Sequence, residues 1–172
     1  MPEATGNREA SGRHIVLLGM MGSGKTTIGT RLATHLERPF VDSDEVLRST
    51  TGREAARIAR EDVVEALQAI DAELLLDRLG VTRPAVSAAE SSAIESELCR
   101  AALLHHTCIW FDADPATLAS RQHRADHRRT LPHAEDDIAA LKRRRDPVYD
   151  ALASTRIDTA AVDPDRALLA AL

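Results

Sequence analysis

Residues 19–27, G-M-M-G-S-G-K-T-T, combine glycines with a lysine and threonines at a spacing that can hold phosphate. The pattern G-x-x-x-x-G-K-[ST] is met by Gly19, Gly24, Lys25 and Thr26. Glycines allow a tight turn whose backbone N–H groups converge on one anion, and a helix that begins near Lys25 adds its positive N-terminal end. The lysine reaches the β- and γ-phosphates, and the threonine hydroxyl can ligate Mg²⁺. This phosphate loop is therefore predicted to bind a nucleoside triphosphate with Mg²⁺, through Gly19, Met21, Gly22, Ser23, Gly24, Lys25, Thr26 and Thr27.

Two carboxylates, Asp42 and Asp44, follow the apolar run P-F-V at residues 39–41. Phosphoryl transfer requires little covalent chemistry from a protein and depends mainly on positioning and charge. A carboxylate beside the acceptor hydroxyl can orient that hydroxyl or take its proton. A structural alternative is that Asp42 or Ser43 caps the helix that follows. These residues are therefore candidates for the transfer step, with helix capping as the alternative.

Apolar runs alternate with helical patterns along the chain, which predicts strands alternating with helices. Strands are predicted at residues 14–19, 39–44, 84–89, 107–114 and 155–159. Helices are predicted at residues 26–36, 45–51, 53–79 (in two pieces) and 92–104, from residue 115, at 137–153 and at 164–172. Ser92 and Glu95 form a capping-box pattern at the start of the fourth of these helices.

Alternating strands and helices imply right-handed crossovers and a buried parallel sheet. The predicted fold class is therefore α/β, with three layers and a five-stranded parallel sheet flanked by helices. Ligands of such sheets bind at the carboxyl ends of the strands. On that edge the sequence places the phosphate loop, Asp42, Asp44, the segment after Ser87, and Asp112.

Length and composition indicate a single domain with an aliphatic core. The chain has 172 residues, 44% of them apolar but only 2% aromatic. The first 12 residues are polar and are expected to form a disordered lead without a signal peptide, followed by one domain at residues 13–172. Cys99 and Cys108 have no metal-binding spacing, so we expect buried thiols in a reducing cytoplasm.

The overall charge gives no indication of a macromolecular partner. The formal net charge is −5, which does not favour nucleic acid or an anionic membrane surface. No apolar run approaches the ~20 residues that a membrane span needs. We therefore expect a small-molecule substrate, no nucleic acid and no membrane partner, and a monomer or weak dimer.

The phosphate loop and the two carboxylates also carry a resemblance to a known family. Residues 20–33, M-M-G-S-G-K-T-T-I-G-T-R-L-A, are similar to the phosphate loop and first helix of shikimate kinases. Residues 39–53, P-F-V-D-S-D-E-V-L-R-S-T-T-G-R, are similar to the second strand of that family and the turn after it. From about residue 15 to residue 159, the chain resembles these small P-loop kinases of the nucleoside-monophosphate-kinase type. The resemblance implies ATP-dependent transfer of the γ-phosphate to a hydroxyl of a small polar metabolite.

The same resemblance implies roles for residues on the nucleotide side. It places Asp42 near the metal with Thr26, and Arg121 where an arginine of the family stacks on adenine. The polar stretch at about residues 123–136 corresponds to the family's lid. An arginine of the lid reaches the transferred phosphate, and Arg128 or Arg129 occupies that place.

On the acceptor side, the resemblance implies that Asp44 binds substrate hydroxyls, and Asp44 is our candidate for orienting or deprotonating the acceptor. Residues 144–149, R-R-D-P-V-Y, are similar to the family's [KR]-R-x-P-x-Y segment, whose arginine binds the substrate carboxylate. That arginine corresponds to Arg145. A solvated helix face is the alternative reading of this basic run.

Two departures from the family pattern fall in the acceptor site. A run of three glycines at the end of the third strand is replaced by Ala89-Glu90-Ser91, and an arginine that also grips the carboxylate is replaced by Gln68. Glutamine cannot make a bidentate contact with a carboxylate. Glu90 would repel a carboxylate and favour an amine or a hydroxyl-rich compound, unless it is only a solvated residue before a helix. We therefore expect an altered pocket in which shikimate is a poor substrate.

Three alternatives remain open at the level of the sequence. One is an authentic shikimate kinase with a drifted site, which Asp44 and Arg145 favour. Another is a nucleotide or nucleoside kinase, for which more aromatic residues are expected. The third is a non-catalytic regulatory module that binds a nucleotide, because an intact phosphate loop beside a degraded acceptor site would have the same appearance.

Overall fold

The computed structural model describes residues 12–53, 64–124 and 135–172, and within them five parallel strands form one sheet in the order β2-β3-β1-β4-β5. The strands are β1 (Ile15–Leu18), β2 (Phe40–Asp42), β3 (Val86–Ala88), β4 (Thr107–Asp112) and β5 (Thr155–Asp158). The helices are α1 (Lys25–His35), α2 (Ser43–Thr51), α3 (Val64–Leu79), α4 (Glu97–Leu103), α5 (Pro115–Arg124), α6 (Glu135–Leu152) and α7 (Pro164–Ala171). The predicted α/β class with a five-stranded parallel sheet is confirmed. None of the helices in these ranges is long and apolar enough to cross a lipid bilayer.

Both faces of the sheet are covered, which explains why the central strands β1 and β4 contain continuous buried apolar runs. Successive residues of β1 point to opposite faces, so that Val16 and Leu18 belong to one core cluster and Leu17 to the other. On the first face α3, α4, α5 and α6 pack against the sheet, and on the second face α1 and α7 do so. The carboxyl ends of the strands remain open between these layers.

The predicted capping box at Ser92 and Glu95 is wrong. Residues Ala93–Glu95 form a 3₁₀ turn, and α4 begins one residue after Ser96, whose hydroxyl accepts the capping hydrogen bond. Ser92 Oγ instead donates to Asp71 Oδ2 at 3.2 Å, and Glu95 binds two arginines of α6. A local cap is only one of the hydrogen-bonding arrangements open to such side chains. Here Ser92 and Glu95 bind partners that are distant in sequence, so the local cap does not form.

The two cysteines are free and buried, as predicted. Burial raises the pKa of the Cys99 thiol and raises that of the Cys108 thiol to about 12. A thiol with a raised pKa is a weak nucleophile at neutral pH. Both residues therefore act as small core side chains.

A pair of histidines lies at the amino ends of β1 and β4, opposite the phosphate loop. His14 is buried, with its Nε2 2.9 Å from the carbonyl oxygen of Val81, and its Nδ1 accepts a hydrogen bond from the backbone N–H of Ala85 at 3.1 Å. These two contacts fit the tautomer in which Nε2 donates to Val81 and Nδ1 accepts from Ala85. His106 Nδ1 accepts from the backbone N–H of His14 at 3.3 Å. Burial, together with nearby cationic groups, lowers the pKa of His106 from its ordinary value of 6.5.

We expect the free energy of unfolding to fall as the pH is lowered through the ordinary histidine pKa of 6.5. Because the pKa of His106 is lower in the folded state, the unfolded state takes up the proton first. The stabilisation is fully present above pH 6.5 and is lost as the pH falls toward the folded-state pKa. Urea unfolding at about pH 8 and about pH 5.5 measures this loss. The loss should be smaller in His106→Asn than in the wild type or in the control His35→Asn, which changes an exposed histidine at the end of α1. Equal losses in all three proteins would contradict this prediction.

Candidate active site

The phosphate loop joins the end of β1 to α1 and needs glycine for its geometry. Gly19, Gly22 and Gly24 have positive φ angles of 139°, 84° and 95°. A Cβ atom at Gly19 would lie 2.2 Å from the carbonyl oxygen of Phe111 in β4. Because that neighbour is backbone and cannot move aside, only glycine lets the loop lie this close to the sheet. The glycine spacing in the sequence therefore corresponds to a tight turn at the carboxyl end of β1.

The ammonium group of Lys25 lies against the inside of this loop. Lys25 Nζ donates to the carbonyl oxygens of Gly19 and Met20 at 2.8 and 3.1 Å. Lys25 is also the first residue of α1, so the positive end of that helix faces the same space. A point charge, loop amides and a helix N-terminus together form a site suited to phosphate.

Thr26 and Asp42 meet at the base of the loop, although they are 16 residues apart in the chain. Thr26 Oγ1 donates to Asp42 Oδ2 at 2.7 Å. The other oxygen, Asp42 Oδ1, accepts from the backbone N–H of Asp44 at 3.0 Å and caps α2. Asp42 therefore caps α2, as the structural alternative predicted. This does not exclude a role in the site, because one carboxylate oxygen binds the cap and the other binds Thr26. Two adjacent hard oxygen ligands beside a phosphate site fit Mg²⁺, which prefers oxygen ligands.

Replacing Thr26 by valine is expected to raise the Mg²⁺ concentration for half-maximal binding of Mg·ADP by about tenfold or more, because a candidate ligand is removed at nearly constant volume. Calorimetric titrations of the nucleotide at a series of Mg²⁺ concentrations measure the effect. Thr30→Val is the matched control, since the exposed Thr30 hydroxyl donates to the Thr26 carbonyl oxygen one turn along α1. An unchanged Mg²⁺ dependence in Thr26→Val would remove Thr26 from the metal site.

A cavity of about 410 Å³ opens next to the phosphate loop at the carboxyl ends of the strands. This volume is in the range of small-molecule sites. Many of the residues singled out in the sequence line it: Met21, Gly22, Gly24, Lys25, Thr26, Thr27, Asp42, Asp44, Glu90 and Arg121. Of the other predicted residues, Gly19, Ser23, Gln68 and Arg145 are described but do not belong to this lining. Arg128 and Arg129, with residues 125–134 of the predicted lid, lie outside the described residues.

Ala88 and Ser91, in the segment after Ser87 that was expected on this edge, also line the cavity. The sequence analysis named no site role for the other lining residues, which are Ile28, Ser43, Gln122, Thr159, Val162 and Pro164. Those after β5 belong to no motif, and only their position beside the loop reveals them. Thr159 Oγ1 lies 3.0 Å from the carbonyl oxygen of Ser23, a residue 136 positions earlier. The one available signal was the end of a predicted strand at residue 159, because strand ends meet at the ligand edge of a parallel sheet.

Arg121 and Gln122, at the end of α5, hold the outer side of the phosphate loop. Arg121 donates to the carbonyl oxygens of Gly22 and Thr159 at 3.2 and 2.7 Å. Gln122 Nε2 donates to the carbonyl oxygen of Met21 at 2.9 Å. Arg121 therefore has a position on the cavity wall that is fixed by the loop itself. Its stacking on adenine stays a prediction.

Glu90 and Asp44 line the same cavity. Ser43 Oγ donates to Glu90 Oε1 at 2.6 Å, which ties the segment after β3 to the first turn of α2. Glu90 is half-buried by this contact and is not a fully solvated residue before a helix. Glu90, Asp42 and Asp44 therefore bring three carboxyl groups to one cavity.

Arg145 lies in α6, outside the lining of the cavity. It is 6% exposed, and its Nε donates to Glu95 Oε1 at 2.9 Å. One turn further along α6, Tyr149 donates to the carbonyl oxygen of Ser91 at 3.0 Å. Partial burial acts to raise the pKa of Glu95, but hydrogen bonds from Arg145 and Arg144 outweigh it and hold that pKa below its ordinary value. Arg145 is thus not a residue of a solvated helix face.

Asp112 lies at the end of β4, on the predicted edge of the sheet, but it does not line the cavity. Its carboxylate oxygens bind Lys142 and Arg156, whose charged groups also lie over the ring of Trp110. These contacts attach α6 and β5 to β4. Among the residues that were expected on this edge, Asp112 therefore serves the packing of the domain.

Comparison with known proteins gives consistent results over most of the chain. The family model described as shikimate kinase matches residues 21–171. The shikimate kinase of Symbiobacterium thermophilum is 34% identical over 150 residues, which cover 85% of this chain and 86% of that protein. The shikimate kinase of Moorella thermoacetica is 36% identical over 151 residues, or 85% and 84% of the two chains. The solved structure of a shikimate kinase from Acinetobacter baumannii in complex with shikimate has a TM-score of 0.82 at 26% identity, and covers 90% of this chain and 88% of the other.

Proposed function

Because the chain belongs to the shikimate kinase family, we propose that it transfers the γ-phosphate of ATP to a hydroxyl group of a small polar metabolite in an altered acceptor pocket. It is an ATP-dependent kinase that acts on a hydroxyl group, and the non-catalytic alternative is therefore disfavoured. One observation supports this proposal above the others. A single cavity joins Lys25 of the phosphate loop, the Thr26–Asp42 pair and Asp44.

On the nucleotide side, Lys25 and the amides of the phosphate loop would stabilise negative charge on the transferred group. Thr26 and Asp42 would hold Mg²⁺, which when bound neutralises charge on the phosphates. Arg121 would support the nucleotide from the wall of the cavity. In the predicted lid, Arg128 or Arg129 would add positive charge, and closure of the lid would exclude water and prevent hydrolysis of ATP.

On the acceptor side, Asp44 would orient the acceptor hydroxyl and accept its proton. The carboxylate lies in the same cavity as the phosphate loop, half-buried in the first turn of α2. A negative group beside the hydroxyl favours the transfer only if the hydroxyl proton points toward it. Asp44 would therefore select both the reacting hydroxyl and its orientation.

Two classes of acceptor are candidates. Shikimate is favoured by the relatives and by Asp44 and Arg145, which stand at the positions of the family motifs. An uncharged or amine-bearing polyol is favoured by Glu90 on the cavity wall and by Gln68 in place of an arginine. We propose the second class, because a carboxylate on the wall repels a carboxylate on the ligand.

A coupled assay of ADP release tests the proposal with shikimate and a panel of sugars, cyclitols and amino alcohols. We expect at least one acceptor to reach a kcat/KM of roughly 10⁴ M⁻¹s⁻¹ or above, in the ordinary enzyme range. If ATP binds but no acceptor accelerates ADP release, the proposed function is wrong. If shikimate reaches that range and the uncharged compounds do not, the chain has an ordinary shikimate pocket.

A further inference from the structure

We infer that Glu95 is a specificity-determining residue that neutralises Arg145 inside the protein and so directs the acceptor site toward uncharged hydroxyl compounds. This inference rests on the proposed function and concerns the same site. It assigns a role to a residue that no motif singles out for the acceptor. It also explains how Arg145 can occupy the carboxylate-binding position of the family motif without binding a substrate carboxylate.

The contact between Arg145 and Glu95 joins residues 50 positions apart. The Arg145 side chain is 7% exposed and that of Glu95 is 34% exposed, so the arginine is buried while solvent still reaches part of the glutamate. A buried guanidinium needs a compensating charge, and here Glu95 provides it at 2.9 Å. The remaining contact of Arg145, from Nη1 to Met20 Sδ at 3.9 Å, is to a weak acceptor beside the phosphate loop.

Arg144 shares the same carboxylate oxygen, but it lies outside. Its side chain is 66% exposed and donates to Glu95 Oε1 at 2.9 Å. A charge so exposed is screened by water and salt, whereas the buried charge of Arg145 is not. Within the buried part of the site, Glu95 therefore acts mainly on Arg145.

Around Tyr149, the charges near Arg145 are predominantly negative. Burial raises the pKa of Tyr149, while the charge of Arg145 opposes this and the carboxylates of Glu90, Asp146 and Glu95 add to it. Asp146 is paired with Lys142 on the same helix. Of the other two carboxylates, Glu90 lies on the cavity wall and accepts from Ser43, and Glu95 binds Arg145 itself.

These contacts set a penalty for an anionic acceptor. A ligand carboxylate that binds Arg145 must displace Glu95 or share the guanidinium with it. Sharing brings two negative groups together in a partly dehydrated space, and displacement removes the Glu95 carboxylate from its buried partner, so both are unfavourable. An acceptor with the same hydroxyls and no charge avoids both.

Shikimate and its methyl ester provide the test, because they carry the same ring and hydroxyls and differ in charge. We would measure initial rates with Mg·ATP, and binding in the presence of Mg·ADP by calorimetry. The wild type is expected to prefer the ester in both kcat/KM and Kd. Glu95→Gln keeps an oxygen acceptor for Arg145 Nε but removes the charge, and it should shift the ratio of shikimate to ester by about tenfold toward shikimate.

The matched control is Glu97→Gln, two residues further along. The Glu97 side chain is 92% exposed and its carboxylate lies 3.7 Å from Arg100. This variant removes one negative charge from the same segment without touching the Arg145 pair. It should leave the shikimate-to-ester ratio at the wild-type value.

Each outcome of this experiment either supports or overturns the proposed role of Glu95. A shift in Glu95→Gln without a shift in Glu97→Gln supports the inference. A wild type that prefers shikimate overturns it, and this result needs no variant if Glu95→Gln fails to fold. An unchanged ratio in folded Glu95→Gln, or a failure of both compounds to bind, also overturns it. Binding preferences remain measurable without turnover, so absence of ADP release across the wider acceptor panel counts separately against the proposed function.

Discussion

Replacing Lys25 by alanine is expected to lower kcat for phosphoryl transfer by about 10³-fold or more while the fold stays intact. The ammonium lies against the inside of the phosphate loop, with Nζ 2.8 Å from the carbonyl oxygen of Gly19. Charge that develops on the transferred group would lose the cation that the phosphate loop holds in place. Alanine retains the helical propensity at the start of α1, so the loss falls on the chemistry and on nucleotide binding.

The measurement combines initial rates of ADP release with calorimetry of Mg·ADP. The apparent melting temperature is unsuitable as the readout, because nucleotide binding itself shifts it. Arg31→Ala is the matched control: it removes a cation from the same helix, where Arg31 forms an exposed pair with Asp165. If Lys25→Ala keeps the wild-type affinity for Mg·ADP and the wild-type rate of ADP release, residues 19–26 are not a nucleotide site.

Replacing Asp44 by asparagine is expected to lower kcat by about 10²- to 10⁴-fold with little change in the affinity for Mg·ADP. Asparagine has the same shape and can still contact a hydroxyl, but it cannot take a proton. The backbone N–H of Asp44 bonds to Asp42 Oδ1 in the cap of α2, and the substitution leaves that contact in place. The loss should therefore fall on the transfer step.

Glu45→Gln is the control for this variant, because Glu45 is an exposed carboxylate in the same first turn of α2. It should behave as the wild type. Rates at saturating ATP with the best acceptor of the panel give kcat, and calorimetry gives the nucleotide affinity. If Asp44→Asn keeps its kcat, Asp44 is not the acceptor-side base, and if it loses Mg·ADP binding instead, it belongs to the metal site.

The amino-acid sequence by itself determined the features that depend on residues close together in the chain. The phosphate loop could be predicted because Gly19, Gly22 and Gly24 are needed wherever φ is positive, and that requirement is local. The α/β class followed from the alternation of apolar runs with helical patterns, because strands buried on both faces read as continuous apolar runs. The placement of Asp42 and Asp44 beside the loop followed from their position after such a strand.

Only the tertiary structure decided which of several possible partners a polar side chain takes. Ser92 and Glu95 fit a local cap in the sequence, yet they bind Asp71 and the arginines of α6. Gln122 in α5 and Pro164 in α7 joined the cavity through the packing of these helices, and Thr159 joined it through its hydrogen bond to Ser23. A residue's choice among hydrogen-bond partners depends on which groups the folded chain brings within about 3 Å. The partners of Glu95 and Thr159 lie 50 and 136 positions away, so no short pattern records them.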